Sequence, residues 1–210
     1  MDNQEKRNKE QLILAAAEQE FLTKGYDGAR TTSIAKTAGV THAMLHYYFR
    51  TKEGLFERIV DEKFRIMSQS MLAVMGEPDL PTIERIRSGI AAHFDFIAKN
   101  PHLPRFLINE VVSRPERYSI LQNRIQGVIN ILFSQLQEEI DNAAARGEME
   151  WIDVRTLLIS IMSLNIFTFV AYPFMETMLG DFMSDREKFL AERKAENINT
   201  IMCRIKTKQP

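Results

Sequence analysis

The chain is expected to be all-α, and three observations point there. Apolar residues recur at helical spacing along most of its length, no run of alternating apolar and polar residues marks a strand, and glycine or proline falls at the junctions. With 210 residues, 45% hydrophobic and 26% charged, it can bury a core in one large domain or in a small and a larger one. No internal repeat or low-complexity linker interrupts the pattern.

The first helix is defined by Ile13, Ala17 and Phe21 at i, i+4 and i+8, and Gly25 ends it. Lys6, Arg7 and Lys9 cluster ahead of it. In the second, Ile34, Ala35 and Ala38 share one side. Gly39 supplies the positive φ that a sharp turn needs, and small Ala35, one helical turn earlier, lets the next helix cross close by. Val40 fills the corner and Thr41 suits the cap of the third helix. There Leu45 and Phe49 share a buried face, while His42 and His46 form a column on another, flanked by Ala43 and Tyr47. This is a helix-turn-helix whose second helix keeps a polar, aromatic face free for a DNA major groove.

Thr51 is placed to cap a long helix reaching about Met75, with Leu55, Phe56, Ile59 and Phe64 on its apolar side. Gly76-Glu77-Pro78-Asp79 breaks it, and Pro81 suits the first turn of the next helix. That helix carries Ile83, Ile86, Ile90, Phe94 and Ile97 up to Asn100-Pro101. A short helix follows Pro104, and Pro115 opens a long one that Arg146-Gly147 stops near Ala145. A strongly apolar helix starts at Asp153, Gly180 follows, and a last amphipathic helix runs from about Asp185 to Lys206.

Charge and chemistry narrow the function classes. The formal net charge is −1, so any nucleic-acid binding depends on a local patch. Lys36, Arg50 and Lys52 lie near the motif, although Glu5, Glu10 and Glu53 interleave with the basic residues as on an ordinary solvated surface. The single cysteine, Cys203, forms no intrachain disulfide and suits a reducing, cytoplasmic setting, and the charged N-terminus is unlike a signal peptide. Leu157 to Met175 approaches the roughly 20 apolar residues of a membrane span. It contains Ser160, Ser163, Asn165 and Thr168, which favours a helix buried on all sides. His93, His102 and Glu110 show no metalloprotease spacing, and neither a glycine-rich phosphate loop nor a nucleophile elbow is present. The i, i+4 pair His42 and His46 lacks an evident third metal ligand. No enzyme activity, cofactor or metal is therefore expected.

From about Gln11 to Phe56 the sequence resembles the DNA-binding domain of the TetR family of transcriptional regulators. Phe21, Gly25-Tyr26, Ile34-Ala35, Ala38-Gly39-Val40-Thr41, Leu45-His46-Tyr47-Tyr48-Phe49 and Thr51-Lys52-Glu53-Gly54-Leu55 carry the resemblance, in that order. It implies a three-helix DNA-binding domain over residues 1–56 and a helical effector-binding and dimerisation domain over 57–210. Thr41 and Lys52 match phosphate-binding positions, and Thr32, His42, Ala43, Met44, His46 and Tyr47 complete the implied DNA-facing set. Tyr48 and Phe49 are expected to anchor the third helix in the core.

Three departures stand out. His46 replaces a more usual tyrosine whose hydroxyl binds phosphate, leaving a ring nitrogen to donate instead. Met44 replaces a small or hydroxyl residue. Arg30 stands where Ser or Thr often begins the second helix, so the cap is expected to move to Thr31.

The resemblance also implies a homodimer through the last two helices, placing two reading heads on a two-fold, double-stranded DNA operator. A small lipophilic or aromatic effector is implied in the larger domain, with Phe94, Phe106, Asn109, Glu110, Tyr118, Phe133, Met162, Asn165 and Phe169 as candidate lining. Plain core packing competes for each of these residues. The implied function is a ligand-responsive repressor released by that molecule; the alternative is a helical DNA-binding protein without small-molecule response.

Overall fold

The computed structural model describes residues 3–75, 80–109, 130 and 133–207, and among them every regular element is helical. The chain divides into two compact units, Met1–Ser68 and Gln69–Pro210.

In the first unit, α1 spans Asn3–Gly28, α2 Thr31–Thr37 and α3 His42–Tyr48, and α4, Lys52–Met75, begins. Gly25 interrupts α1 with φ 68°, so the stop read at this glycine is a kink after which one more turn forms. Lys6, Arg7 and Lys9 lie inside α1 rather than ahead of it, and Lys9 pairs with Glu5 at 2.7 Å. Ile13, Ala17, Phe21, Ile34, Ala35, Leu45, Phe49, Leu55, Phe56 and Ile59 make the buried core. Phe21 stacks on Tyr26 at 5.8 Å, and the edge of Phe56 closes on both rings. An ion pair between Lys63 and Glu18, 2.7 Å long, ties α4 to α1. Thr51 caps α4 as its sequence position suggests, its Oγ1 accepting from the Gly54 N–H at 3.0 Å.

The second unit contains α5, Thr82–Lys99; α6, Leu103–Leu107; α7, residues 133–145; α8, Val154–Val170; α9, Tyr172–Leu179; and α10, Arg186–Ile205. Pro81 precedes α5 with φ −55° and ψ 144° instead of entering its first turn. The breaker at 76–79 and the helix start at Pro115 lie outside the described residues. α5, α8 and α10 pack on one another. Ile86, Ile90, Leu157, Ile161, Ile201 and Ile205 fill the space between them, and Ile140 and Ala143 of α7 join. Bonds from the N–H groups of Arg155 and Thr156 to Asp153 cap α8, and one from Lys188 to Asp185 caps α10.

Two features depart from the sequence reading. The apolar segment bends by 65° after Val170, and Pro173 sits in the first turn of α9. Nor is α8 buried on every side: Ile159 and Phe167 are 64% and 63% exposed, and Met162 is exposed as well. Among the described residues no single helix is long and apolar enough to cross a membrane.

Candidate nucleic-acid interface

The turn between α2 and α3 is built from local chemistry. Gly39 adopts φ 67°, where a side chain would strain the backbone, and the Val40 N–H bonds back to the Ala35 carbonyl at 3.0 Å. Thr41 Oγ1 accepts from the Met44 N–H at 3.1 Å and so caps α3. Buried Leu45 and Phe49 hold α3 to the core, while Tyr48 is only half-buried. The opposite face of α3 is consequently exposed among the described residues.

The second helix is capped differently from the expectation. Arg30, not Thr31, occupies the cap position, and its side chain makes no capping bond. Glu20 of α1 takes over this task. Its carboxylate accepts from the Arg30 N–H at 3.3 Å, from Ser33 Oγ at 3.2 Å and from Lys24 Nζ at 2.8 Å. Burial raises the pKa of Glu20, but the bonds from Lys24, Arg30 and Ser33 and the Lys24 charge outweigh it, leaving the carboxyl below its ordinary value. Thr31 is thereby released, and its Oγ1 lies 3.0 Å from His42 Nε2, linking the starts of α2 and α3.

Thr32, Thr41, His42, Ala43, His46 and Tyr47 are all exposed, Tyr47 to 72%. Met44 and Lys52 are half-buried. The His42 and His46 rings meet nearly at right angles with centroids 4.4 Å apart, and His46 Nδ1 donates to the Arg50 carbonyl at 3.3 Å. Lys52 donates to the Asp27 carbonyl at 3.3 Å and lies 4.6 Å from the centroid of Tyr26, whose hydroxyl donates to Glu53 at 2.6 Å. The ammonium is thus held at the start of α4, where free N–H groups also favour an anion. One neighbour escaped the sequence reading: Lys6 lies 5.6 Å from the Tyr47 ring centroid, bringing the first turns of α1 beside α3. Its place in the basic run near the N-terminus was the only available signal.

The described candidate effector residues fall in several places. Phe94 and Phe169 are buried ring to ring, 5.2 Å apart, and Phe106 is buried. Asn165 is buried in a polar chain: its Nδ2 donates to the Ile90 carbonyl and to His93 Nδ1, both at 3.1 Å, and its Oδ1 accepts from Asn197 Nδ2 at 3.0 Å. Burial lowers the His93 pKa to about 4, so its ring is neutral with the proton on Nε2. Asn109 and Met162 are exposed, and Glu110 and Tyr118 lie outside the described residues. Phe133 instead lines an open cleft of about 870 Å³ between α7 and the start of α8, with Gln137, Asp141, Ala144, Trp151, Val154 and Arg155.

Comparison with known proteins places this arrangement among regulators. The family model of bacterial regulatory proteins, tetR family, matches residues 13–59, and that of the tetracyclin repressor-like C-terminal domain matches 83–201. The nucleoid occlusion factor SlmA of Photorhabdus laumondii is 31% identical over 143 residues, covering 66% of this chain and 67% of that protein. The uncharacterised HTH-type transcriptional regulator YhgD of Bacillus subtilis is 24% identical over 149 residues, covering 66% and 73%. Among solved structures, a tetR-family regulatory protein from Rhodococcus RHA1 superposes with a TM-score of 0.68 at 23% identity, over 92% of this chain and 96% of its own. The hemolysin II transcriptional regulator HlyIIR gives 0.63 at 21%, over 97% and 99%. At these identities the superpositions establish a shared fold.

Proposed function

Because the chain belongs to the tetR family of bacterial regulatory proteins and is a DNA-binding transcriptional regulator, we propose that it works as a homodimeric repressor. The exposed face of α3, with Thr41 and Lys52 at its borders, carries this reading. His42, Ala43, Met44, His46 and Tyr47 read bases, and Thr32, Thr41 and Lys52 hold the backbone. Ala43 and Met44 suit a thymine methyl group. The exposed apolar side of α8, together with α10, covers itself against a second copy, which sets two heads on a two-fold operator.

A small lipophilic or aromatic molecule taken up by residues 57–210 then weakens operator binding. The match to the repressor-like C-terminal domain and the cleft at Phe133 support this part. Such a molecule must bind the DNA-free state more tightly than the operator-bound one, or it shifts nothing. A second reading has its own support. Phe94, Phe106, Asn165 and Phe169 are consumed by packing, and a nucleoid occlusion factor is among the relatives, so DNA binding without small-molecule control is the alternative.

Selection of bound duplexes from random DNA at a fixed salt concentration tests the core of the proposal. Recovery of a two-fold site supports it; weak, salt-dependent binding with no consensus sinks it. With that site in hand, Lys52→Ala should weaken binding to all sequences and lower the salt slope by about 1, while Tyr47→Ala should change the sequence preference. A competition screen on the recovered site separates the two readings, since only the first provides for release by a small molecule.

A further inference from the structure

The Nδ1 atom of His46 lies 3.3 Å from the carbonyl oxygen of Arg50. A carbonyl oxygen only accepts, so the single proton of the neutral ring sits on Nδ1 and Nε2 keeps a bare lone pair. The side chain is exposed, and among the described residues Nε2 has no hydrogen-bond partner. The ring is also steadied by its perpendicular contact with His42, itself held by Thr31. Neutral His46 therefore presents an acceptor and no donor. Phosphate oxygens are acceptors too, so the phosphate contact of a tyrosine hydroxyl at this place is not available to the ring while it carries a single proton. In the major groove the donors on base edges are the exocyclic amino groups, cytosine N4 and adenine N6.

We propose that His46 is a specificity-determining residue, accepting through Nε2 a hydrogen bond from the exocyclic amino group of cytosine or adenine instead of anchoring the DNA backbone. This rests on the DNA-reading face assigned above. Its first test needs no DNA. In the full-length protein labelled with ¹⁵N at histidine, the His46 signals, identified by their loss in His46→Phe, should show the Nδ1-protonated neutral tautomer. A ring protonated on Nε2 overturns the assignment and leaves the wider reading intact.

The second test is duplex selection at one salt concentration. Because every base pair carries one such amino group on one of its strands, the wild-type site is compared with the His46→Phe site, and the position that relaxes identifies cytosine or adenine as the donor. His46→Phe should lose about 3- to 10-fold of preference at that position alone, with its salt slope unchanged. His46→Gln, which restores an acceptor, should recover preference at that position. A uniform loss on all sequences with a shallower salt slope marks a phosphate contact and overturns the proposal. A wild-type protein that selects no consensus overturns the operator reading and this assignment together.

Discussion

His93, Asn165 and Asn197 come from α5, α8 and α10 and meet where those three helices pack. Burial holds His93 neutral down to about pH 4, whereas in the unfolded chain it takes up a proton near 6.5. The unfolded state therefore binds the extra proton first. The stability present above pH 6.5 declines as the pH falls, by on the order of 3 kcal/mol at pH 4. Urea unfolding at pH 7 and pH 5 should show this slope, and His93→Gln, which has no proton to bind, should flatten it. Glu20 follows the same sign for a different reason, since partners hold its carboxylate ionised. Its contribution is present above the ordinary carboxyl range and is lost on acidification. Glu20→Ala strips the acceptor from the start of α2 and should cost roughly 1 kcal/mol in thermal unfolding at neutral pH, with Glu20→Gln costing less.

Elements differed in how plainly the sequence announced them. Gly39 and the caps Thr41, Thr51, Asp153 and Asp185 act within a few residues of themselves, so the ends of α2, α3, α4, α8 and α10 were legible from spacing. Thr41→Ala should accordingly cost about 1 kcal/mol, and circular dichroism melts would expose the idea as wrong if the midpoint did not move. What stayed hidden depends on distant chain. No local pattern says that Glu20 serves a helix ten residues downstream, or that the Arg50 carbonyl fixes the proton of His46. The bend after Val170 had a signal in Pro173, which marks a helix start as readily as an end. Composition left α8 open, because a helix apolar on every face can be buried within its own chain or can keep one face for a second copy, and Ile159 and Phe167 remain exposed. The effector residues are hard to read for a related reason, since aromatic side chains at helical spacing look alike whether they line a cavity or fill a core.

At the scale of the whole molecule, one side of α8 is left uncovered. Ile159 and Phe167 expose large apolar side chains two helical turns apart, where an isolated soluble chain gains nothing by it. If a second copy covers them, the melting temperature should rise with protein concentration. Ile159→Asp with Phe167→Asp should sediment as a monomer and lose the two-fold operator while keeping its helical content. A double variant that remained a dimer would place the contact elsewhere.

Trp151 is the chain's one tryptophan; it is 56% exposed at the rim of the cleft beside α7, and its Nε1 donates to Asp141 at 2.8 Å. Light absorbed at the red edge of the indole band is therefore emitted from one known place. A molecule settling against Phe133 would strip water from the Trp151 ring and move its emission to shorter wavelength. The protein thus carries its own optical reporter, and candidate effectors can be ranked by titration without a label or a DNA fragment in the cuvette.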